Sequence, residues 1–238
     1  MARLRPLAVV AAVAVVGGGV TKAEPVAGIH ELERLPTHRK LVALTFDGGG
    51  DTANGTALIL ATLGRRRVGA ATFFLAGRWL RRHRLLARAI GRHYRVGNHT
   101  YDHAEQTRLT AAQISHDVRS GAHWVRIATG QDPRPLFRFP YGARDEQTIA
   151  VVNSLGYASI RWSIDTWGWM GRAGGQSVGT VLRRVSEHLE PGAIILMHVG
   201  VAHDGSVLDA QALSRVIRLV RTRGYRFVDL DRFVRPPR

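Results

Sequence analysis

Cysteine is absent from this 238-residue sequence, and acidic residues and lysines are scarce. Without cysteine the chain forms no disulfide bond, thiolate metal site or cysteine nucleophile. The 18 Asp and Glu residues are outnumbered by 34 Lys and Arg residues, which gives a net charge of +16, and only Lys22 and Lys40 are lysines. This excess suggests nucleic acid, a membrane surface or an acidic polymer as a partner. GC-rich coding explains an arginine-rich, alanine-rich chain equally well.

The apolar run near the start is too short to span a bilayer, which takes about 20 residues. It covers the 14 residues Leu7–Val20, follows the basic Arg3 and Arg5, and is closed by the small residue Ala23. This pattern is typical of a secretory signal peptide over residues 1–23, which carries three basic residues and no acid. We therefore expect a secreted or cell-wall-associated, extracytoplasmic protein with a charge of +13 and no stable membrane span after processing.

Disorder and low-complexity repeats are excluded, because 45% of the residues are apolar and 22% are charged. Residues 24–39 form a short approach segment without periodicity, and residues 40–238 are expected to form one domain. In it, short β-branched or apolar runs alternate with stretches of helical spacing. The predicted strands are Leu41–Phe46, Ala71–Leu75, Tyr94–Gly97, Leu136–Phe139, Ala158–Ile164, Ala193–Met197 and Arg226–Val228. The predicted helices are Thr52–Leu63, Arg78–Arg92, Thr110–Thr129, Glu146–Leu155, Val178–Leu189 and Ala210–Arg223.

Seven strands separated by six helices predict an α/β fold in which a parallel sheet is joined by crossover helices. The alternation is unbroken, and no Gly-rich dinucleotide fingerprint follows the first strand. We therefore predict a distorted (β/α) barrel of about seven parallel strands rather than an open sheet.

Unusual polar and aromatic residues lie at the carboxyl ends of five of the predicted strands. They are Asp47, His99, His103, Arg138, Tyr141, Asp165, Trp167, Trp169 and His198. The carboxyl ends of the strands of a parallel barrel carry its active site, because the βα loops converge there. The sequence therefore predicts one site assembled from five loops.

His99 and His103 are four residues apart, so that both rings can reach one ion from a helical turn or a tight loop. One such pair is also expected by chance among 11 histidines. Its place directly after a strand favours the metal-site interpretation.

Asp47 and His198 each allow a structural and a chemical interpretation. Asp47 precedes three glycines and could cap a helix, or it could accept a proton from a metal-bound water. No Lys-Ser or Lys-Thr pair follows, which excludes the Walker phosphate loop. His198 ends a buried strand and is either a satisfied core histidine or an acid that protonates an amine leaving group.

Five motifs together resemble those of the polysaccharide deacetylases, the NodB-homology or carbohydrate esterase family 4 enzymes. They are TFDGGGD at 45–51, HTYDH at 99–103, RFPYG at 138–142, DTWGW at 165–169 and LMH at 196–198. The resemblance runs in order over Leu41 to Val228. It implies a NodB-like distorted barrel with fewer than eight strands, and removal of N-acetyl groups from amino sugars of a peptidoglycan or chitin-like glycan.

The resemblance also implies the roles of the central residues. Asp47 corresponds to the general base and His198 to the general acid. His99 and His103 correspond to ligands of a divalent metal, with zinc as the first expectation. The reaction implied is attack of water on the acetamide carbonyl, which gives acetate and a free amine.

Further residues of the motifs take supporting roles under the same resemblance. Arg138 would hold the base ionised by charge pairing, and the backbone N–H of Tyr141 would help to stabilise the oxyanion. Asp165 would orient or charge-tune the acid. Trp169 and Leu196 would line the pocket for the acetyl group and the sugar.

The motifs depart from the family pattern at two positions. The family's first motif carries a metal-binding Asp directly after the base, where this chain has Gly48, and a two-histidine site binds zinc less tightly and less selectively. The triple-glycine turn could fold Asp51 back as a substitute ligand. The fourth motif carries an Asp where this chain has Gly168, so the partner of His198 is left open.

Two other functions compete with a secreted deacetylase. A metal-depleted relative that binds cell-wall glycan without turnover would explain the missing Asp, although the base, the acid and both histidines remain. Binding of nucleic acid through the arginines lacks a recognisable module, and no aromatic residues are interleaved with the basic runs at 65–67 and 81–84. We therefore expect a glycan substrate, docking on an anionic cell-wall polymer, and no nucleic acid.

Overall fold

The computed structural model describes residues 31–234, so the predicted signal peptide lies outside the described residues. Its strands are β1 Glu31–Leu32, β2 Leu41–Gly48, β3 Thr72–Leu75, β4 Arg95–Asn98, β5 Leu136–Phe137, β6 Ala158–Ile160, β7 Ile164–Asp165, β8 Ile194–His198 and β9 Arg226–Phe227. Its helices are α1 Thr56–Arg65, α2 Gly77–Arg82, α3 Arg84–His93, α4 Ala111–Thr129, α5 Glu146–Ser154, α6 Val178–His188 and α7 Leu208–Thr222.

The strands pair in parallel around β2, and all eight residues of β2 are buried. The order is β1-β6-β5-β4-β3-β2-β8-β7, and β9 pairs with the start of β2. A parallel strand that is covered on both faces reads as a continuous apolar run, which is how β2 begins. The predicted α/β fold with a curled parallel sheet is therefore confirmed, with nine strands in the described residues instead of about seven.

The predicted fifth strand, 158–164, is two strands that lie near opposite ends of the strand order. Its first half, β6, pairs with β5, whereas its second half, β7, pairs with β8 on the other side of the sheet. Between them, the Ser163 N–H donates to the Ile194 carbonyl at 3.1 Å. The chain therefore crosses from one end of the strand order to the other within three residues, and the break in pairing splits the strand.

Part of the predicted approach segment belongs to the sheet. β1 pairs with β6, and the Glu31 carboxylate accepts hydrogen bonds from Arg144 at 2.8 Å and from Ser159 at 2.9 Å. A strand of two residues is too short to show a periodicity, so the sequence pattern gave no signal for it.

The helices follow the prediction with three main differences. The predicted helix 78–92 breaks at His83 into α2 and α3, α1 begins at Thr56 rather than at Thr52, and α7 begins at Leu208 rather than at Ala210. A capping box begins α4, because Thr110 and Gln113 satisfy each other's backbone N–H groups, and Gly130 ends the helix in the left-handed conformation.

The main apolar core packs the helices against the outside of the barrel. It includes the stacked rings of Phe46 and Phe73, 4.8 Å apart, and buried faces of α1, α6 and α7. No helix between residues 31 and 234 combines the length and the apolar character needed to cross a membrane. Because the strands are held from outside, their carboxyl ends form a rigid frame for the loops.

Candidate active site

The carboxyl ends of β2 and β8 bring Asp47 and His198 side by side. These two residues are direct partners in the parallel register, and Asp47 is also the partner of Phe74 in β3. Side chains at paired positions point to the same face of a sheet. Both residues line one cavity together with the glycine loop after β2 and Trp169.

Asp47 is held by Arg138, whose guanidinium is completely buried. Arg138 Nη1 donates to Asp47 Oδ1 at 2.7 Å and to Thr45 Oγ1 at 2.9 Å. Its other nitrogens donate to the carbonyls of Ile160 and Arg161 at 3.0 and 3.1 Å. A buried cation with all of these partners fixes one carboxylate oxygen of Asp47 and leaves the other available.

The available oxygen faces the histidine pair. Asp47 Oδ2 lies 3.7 Å from His99 Nε2, and the Nε2 atoms of His99 and His103 are 3.2 Å apart. His99 Nδ1 is 2.8 Å from the carbonyl of Arg138, so Nδ1 carries the proton and Nε2 carries a lone pair. Two nitrogens bound to one tetrahedral zinc ion are roughly 3.3 Å apart. The donor atoms of the pair therefore fit a zinc-like ion.

Burial keeps both rings neutral. It lowers the pKa of His99, and it lowers the pKa of His103 to about 3, where the neighbouring His99 adds to the effect. Only neutral imidazole binds a metal, so both rings are in the ligand form near pH 7. Within residues 31–234, however, no group of three or more His, Cys, Asp or Glu side chains is arranged to hold a metal ion.

A tight loop, and not a helical turn, presents the pair. Asp117 of α4 is buried, and its Oδ1 accepts the backbone N–H groups of Tyr101 and Asp102 at 2.8 and 2.9 Å. The sequence analysis missed this residue. Its signal was a carboxylate on the apolar face of an amphipathic helix, where charge is rare unless it is paired.

Backbone strain is concentrated in these loops. Five non-glycine residues of the described chain have positive φ, and four of them lie in loops at the carboxyl ends of the strands: Thr100, His103, Tyr141 and Trp167. Such conformations persist only where the surroundings enforce them, and they cluster at functional sites. The Tyr141 hydroxyl also lies 3.2 Å from His103 Nδ1 and so braces the ring from the opposite side.

The residue that lies against His198 is Asp209 of α7, which the sequence analysis did not assign. Asp209 Oδ2 accepts the backbone N–H of His198 at 2.8 Å and lies 3.6 Å from its Nδ1. Burial lowers the pKa of His198, but the carboxylates of Asp209, Asp47 and Asp165 together outweigh it, and the net pKa is raised. Asp165, the predicted partner, accepts the Trp167 N–H through Oδ1 at 2.9 Å, and burial raises its own pKa.

The two predicted pocket residues differ in position. Trp169 is half exposed, and its ring lies 6.5 Å from that of His198 on the wall of the cavity. Leu196 is buried within β8 and is not among the described residues that line the cavity.

Asp51 does not join the histidine pair. Its exposed carboxylate lies 2.9 Å from Arg82 Nη1, and its carbonyl lies 2.9 Å from His83 Nε2, so the turn is directed toward α2. A side chain at Gly48 would also need displacement of its neighbours, because a Cβ there would lie 2.7 Å from Leu75 and 2.9 Å from Val199. Among residues 31–234, the arrangement therefore supports two protein ligands and no third.

The barrel and its site define a parallel α/β protein with an Asp–Arg pair, a histidine pair and a separate histidine at the carboxyl ends of its strands. The chain belongs to the polysaccharide deacetylase family, whose family model matches residues 34–160.

Peptidoglycan-N-acetylglucosamine deacetylase PgdA of Listeria monocytogenes is 30% identical over 203 residues, which are 85% of this chain and 40% of that protein. The structure of Bacillus subtilis PdaA, a family 4 carbohydrate esterase, is similar with a TM-score of 0.77 and 27% identity over 86% of this chain and 85% of that one. The structure of BA3943, a family 4 pseudoenzyme from Bacillus anthracis, has a TM-score of 0.77 and 26% identity over 87% of this chain and 69% of that one. This chain thus spans well under half the length of PgdA.

Proposed function

We propose that the protein is an extracytoplasmic hydrolase that removes N-acetyl groups from amino sugars of peptidoglycan or a chitin-like glycan. One observation carries the proposal: Asp47 is fixed through Oδ1 by the buried Arg138, and its Oδ2 faces the histidine pair. A carboxylate held in this way is suited to accept a proton from water at one defined place. The activities named for PgdA, a peptidoglycan-N-acetylglucosamine deacetylase, and for PdaA, a peptidoglycan-N-acetylmuramic acid deacetylase, support the substrate class.

His99 and His103 would hold the divalent metal, for which zinc is the first candidate because two neutral imidazoles suit it. When bound, such an ion supplies Lewis-acid polarisation and a lower pKa for water. With two protein ligands, we expect weaker and less selective binding than with three.

The chain's own residues carry the proton transfers. Asp47 Oδ2 accepts the proton of the attacking water, while Arg138 holds the carboxylate in place. His198, which shares the cavity with Asp47, donates a proton to the departing amine, because an amide anion leaves poorly. The backbone N–H of Tyr141 is proposed to stabilise the developing oxyanion.

The remaining sequence predictions belong to the same proposal. Trp169 offers an exposed ring at the cavity on which a sugar can pack. The arginine excess favours docking on an anionic cell-wall polymer. The apolar start of the chain supports export.

Acetate release tests the proposal. The protein without residues 1–23 is incubated with peptidoglycan and with short chitin oligomers after chelator treatment and after addition of zinc. We expect zinc-dependent acetate release from one glycan class and none from the His198→Ala variant. Equal release by the variant, or none from either glycan at any metal concentration, contradicts the proposal.

A second function, glycan binding without turnover, is favoured by the missing third ligand at Gly48 and by the similarity to a pseudoenzyme. Under it, the protein binds peptidoglycan in a pull-down assay with the same affinity before and after chelation and releases no acetate. Release that depends on zinc contradicts this alternative.

A further inference from the structure

Asp209 is a buried carboxylate whose contacts converge on His198. It is 3% exposed. Its Oδ1 accepts the Thr166 hydroxyl at 2.7 Å, and its Oδ2 accepts the backbone N–H of His198 at 2.8 Å. The same Oδ2 is the carboxylate atom 3.6 Å from Nδ1 of the His198 ring. That ring nitrogen is buried and has no hydrogen-bond partner among residues 31–234.

A buried carboxylate is unfavourable unless a positive charge is paired with it. Among residues 31–234, the group that forms an ion pair with Asp209 is the imidazole of His198 once it is protonated. The two hydrogen bonds hold the carboxylate in place, with Oδ2 within ion-pair distance of the charged ring. The arrangement therefore favours the protonated ring in one orientation, with Nδ1 toward α7 and Nε2 as the other nitrogen that can carry a proton.

Gly168 provides the space for this carboxylate. A Cβ at Gly168 would lie 2.2 Å from Asp209 Oδ1, 2.5 Å from Cγ and 2.9 Å from Oδ2. Any side chain at residue 168 would therefore displace Asp209 from its position against His198. Gly168 lies in the turn after β7, and Asp209 lies in the first turn of α7, which packs against that turn. A side chain at residue 168 and the Asp209 carboxylate would therefore occupy the same space.

We infer that Asp209 is the positioning residue that orients the His198 ring for proton donation, and that Gly168 is its matched counterpart because it leaves room for the carboxylate. The inference rests on the proposed deacetylase function. Asp165 makes different contacts, since its Oδ1 accepts the N–H of Trp167.

The Asp209→Asn variant tests the inference, because Asn keeps the size and can still accept the backbone N–H of His198. The matched control is Asp204→Asn, which removes an exposed carboxylate that accepts the N–H groups of Ala173 and Ser206. We expect Asp209→Asn to lower kcat for acetate release about 100-fold with little change in KM. The basic limb of the kcat/KM profile should move to lower pH, while the control should match the wild type.

NMR titration of histidine-labelled protein gives a readout that does not need turnover. We expect the pKa of His198 to fall in Asp209→Asn. An unchanged pKa, or a lower kcat with an unmoved basic limb, assigns Asp209 a structural role and overturns the inference. If the wild type releases no acetate, the proposed function fails, whereas the NMR titration still decides whether Asp209 controls the ring.

Gly168→Ala provides a second, independent variant if Asp209→Asn does not fold. The new methyl group must displace Asp209, so the pKa of His198 should fall and kcat should drop. In the Asp209→Ala background the added methyl group should change kcat by less than about twofold, because nothing is left to displace. An equal drop in kcat on Gly168→Ala in both backgrounds would contradict the inference that a side chain at residue 168 and Asp209 compete for the same space.

Discussion

Arg138 Nη1 lies 2.7 Å from Asp47 Oδ1, and both side chains are buried. This contact joins β2 to the end of β5 through the interior of the barrel. The guanidinium also stacks on the ring of Phe74, 4.2 Å from its centroid. One side chain therefore fixes the proposed base and fills part of the core.

Replacing Arg138 should affect folding and activity together. Arg138→Met leaves Asp47 buried without its cation, which costs about 3–5 kcal/mol in the free energy of unfolding. Denaturant unfolding and acetate release measure both effects. The control is Arg144→Met, which removes the partly exposed ion pair with Glu31 and should cost about 1 kcal/mol or less without loss of activity. Equal losses in the free energy of unfolding for the two variants would contradict the role of Arg138 as the buried cation that holds Asp47.

Gly49 and Gly50 should respond differently to the same substitution. A Cβ at Gly49 would lie 2.0 Å from the ring of His103, whereas a Cβ at Gly50 meets no atom within 4 Å. Gly49→Ala must therefore displace His103, and a displacement of about 1 Å can cost 100-fold in rate. We expect Gly49→Ala to lose zinc-dependent activity and Gly50→Ala to keep it, measured by acetate release at fixed zinc. Similar values for both variants would show that the ring moves freely.

Metal content should depend on His103 and not on Asp51. The Asp51 carboxylate is paired with Arg82 and does not lie in a ligand group with the two histidines. After dialysis against low zinc, elemental analysis of His103→Ala should find little metal, while Asp51→Ala should match the wild type. Loss of zinc from Asp51→Ala would show that the glycine turn refolds around the ion.

The pH profile should report the raised pKa of His198. The titratable groups that interact electrostatically with this ring are Asp209, Asp47 and Asp165, together with His99 and His103. As an acid, His198 must be protonated, so kcat/KM should fall as the pH rises through a value above the usual 6.5. A basic limb at or below 6.5 contradicts this prediction.

The same shift predicts a pH-dependent stability. Because the folded-state pKa of His198 is raised, its contribution to stability is fully present below about pH 6.5 and is lost as the pH rises through the folded-state pKa. The difference in melting temperature between the wild type and His198→Gln should therefore be larger at pH 5.5 than at pH 9. A difference that grows with pH would reverse the sign of the shift.

The sequence predicted the barrel and most of the site because strands covered on both faces appear as uninterrupted apolar runs, and polar residues mark where they end. Asp47, His99 and His198 were all located in this way. Asp117 and Asp209 were missed because they lie on the helices that follow, 11 to 16 residues from the backbone groups they accept, and only the packing of those helices brings their carboxylates to the site. The break between β6 and β7 was missed for a similar reason, since the change of pairing partner leaves no mark in the sequence of residues 158–164.

The register of β2 with β8 makes the separation of Asp47 and His198 a property of the sheet. Adjacent strands lie about 4.8 Å apart wherever they pair. The loops that surround the cavity can thus be lengthened, shortened or exchanged without changing the spacing between the proposed proton acceptor and donor. This scaffold should tolerate grafted loops that recognise other glycans, and attempts to redirect its specificity should begin in the loops and leave the strand ends intact.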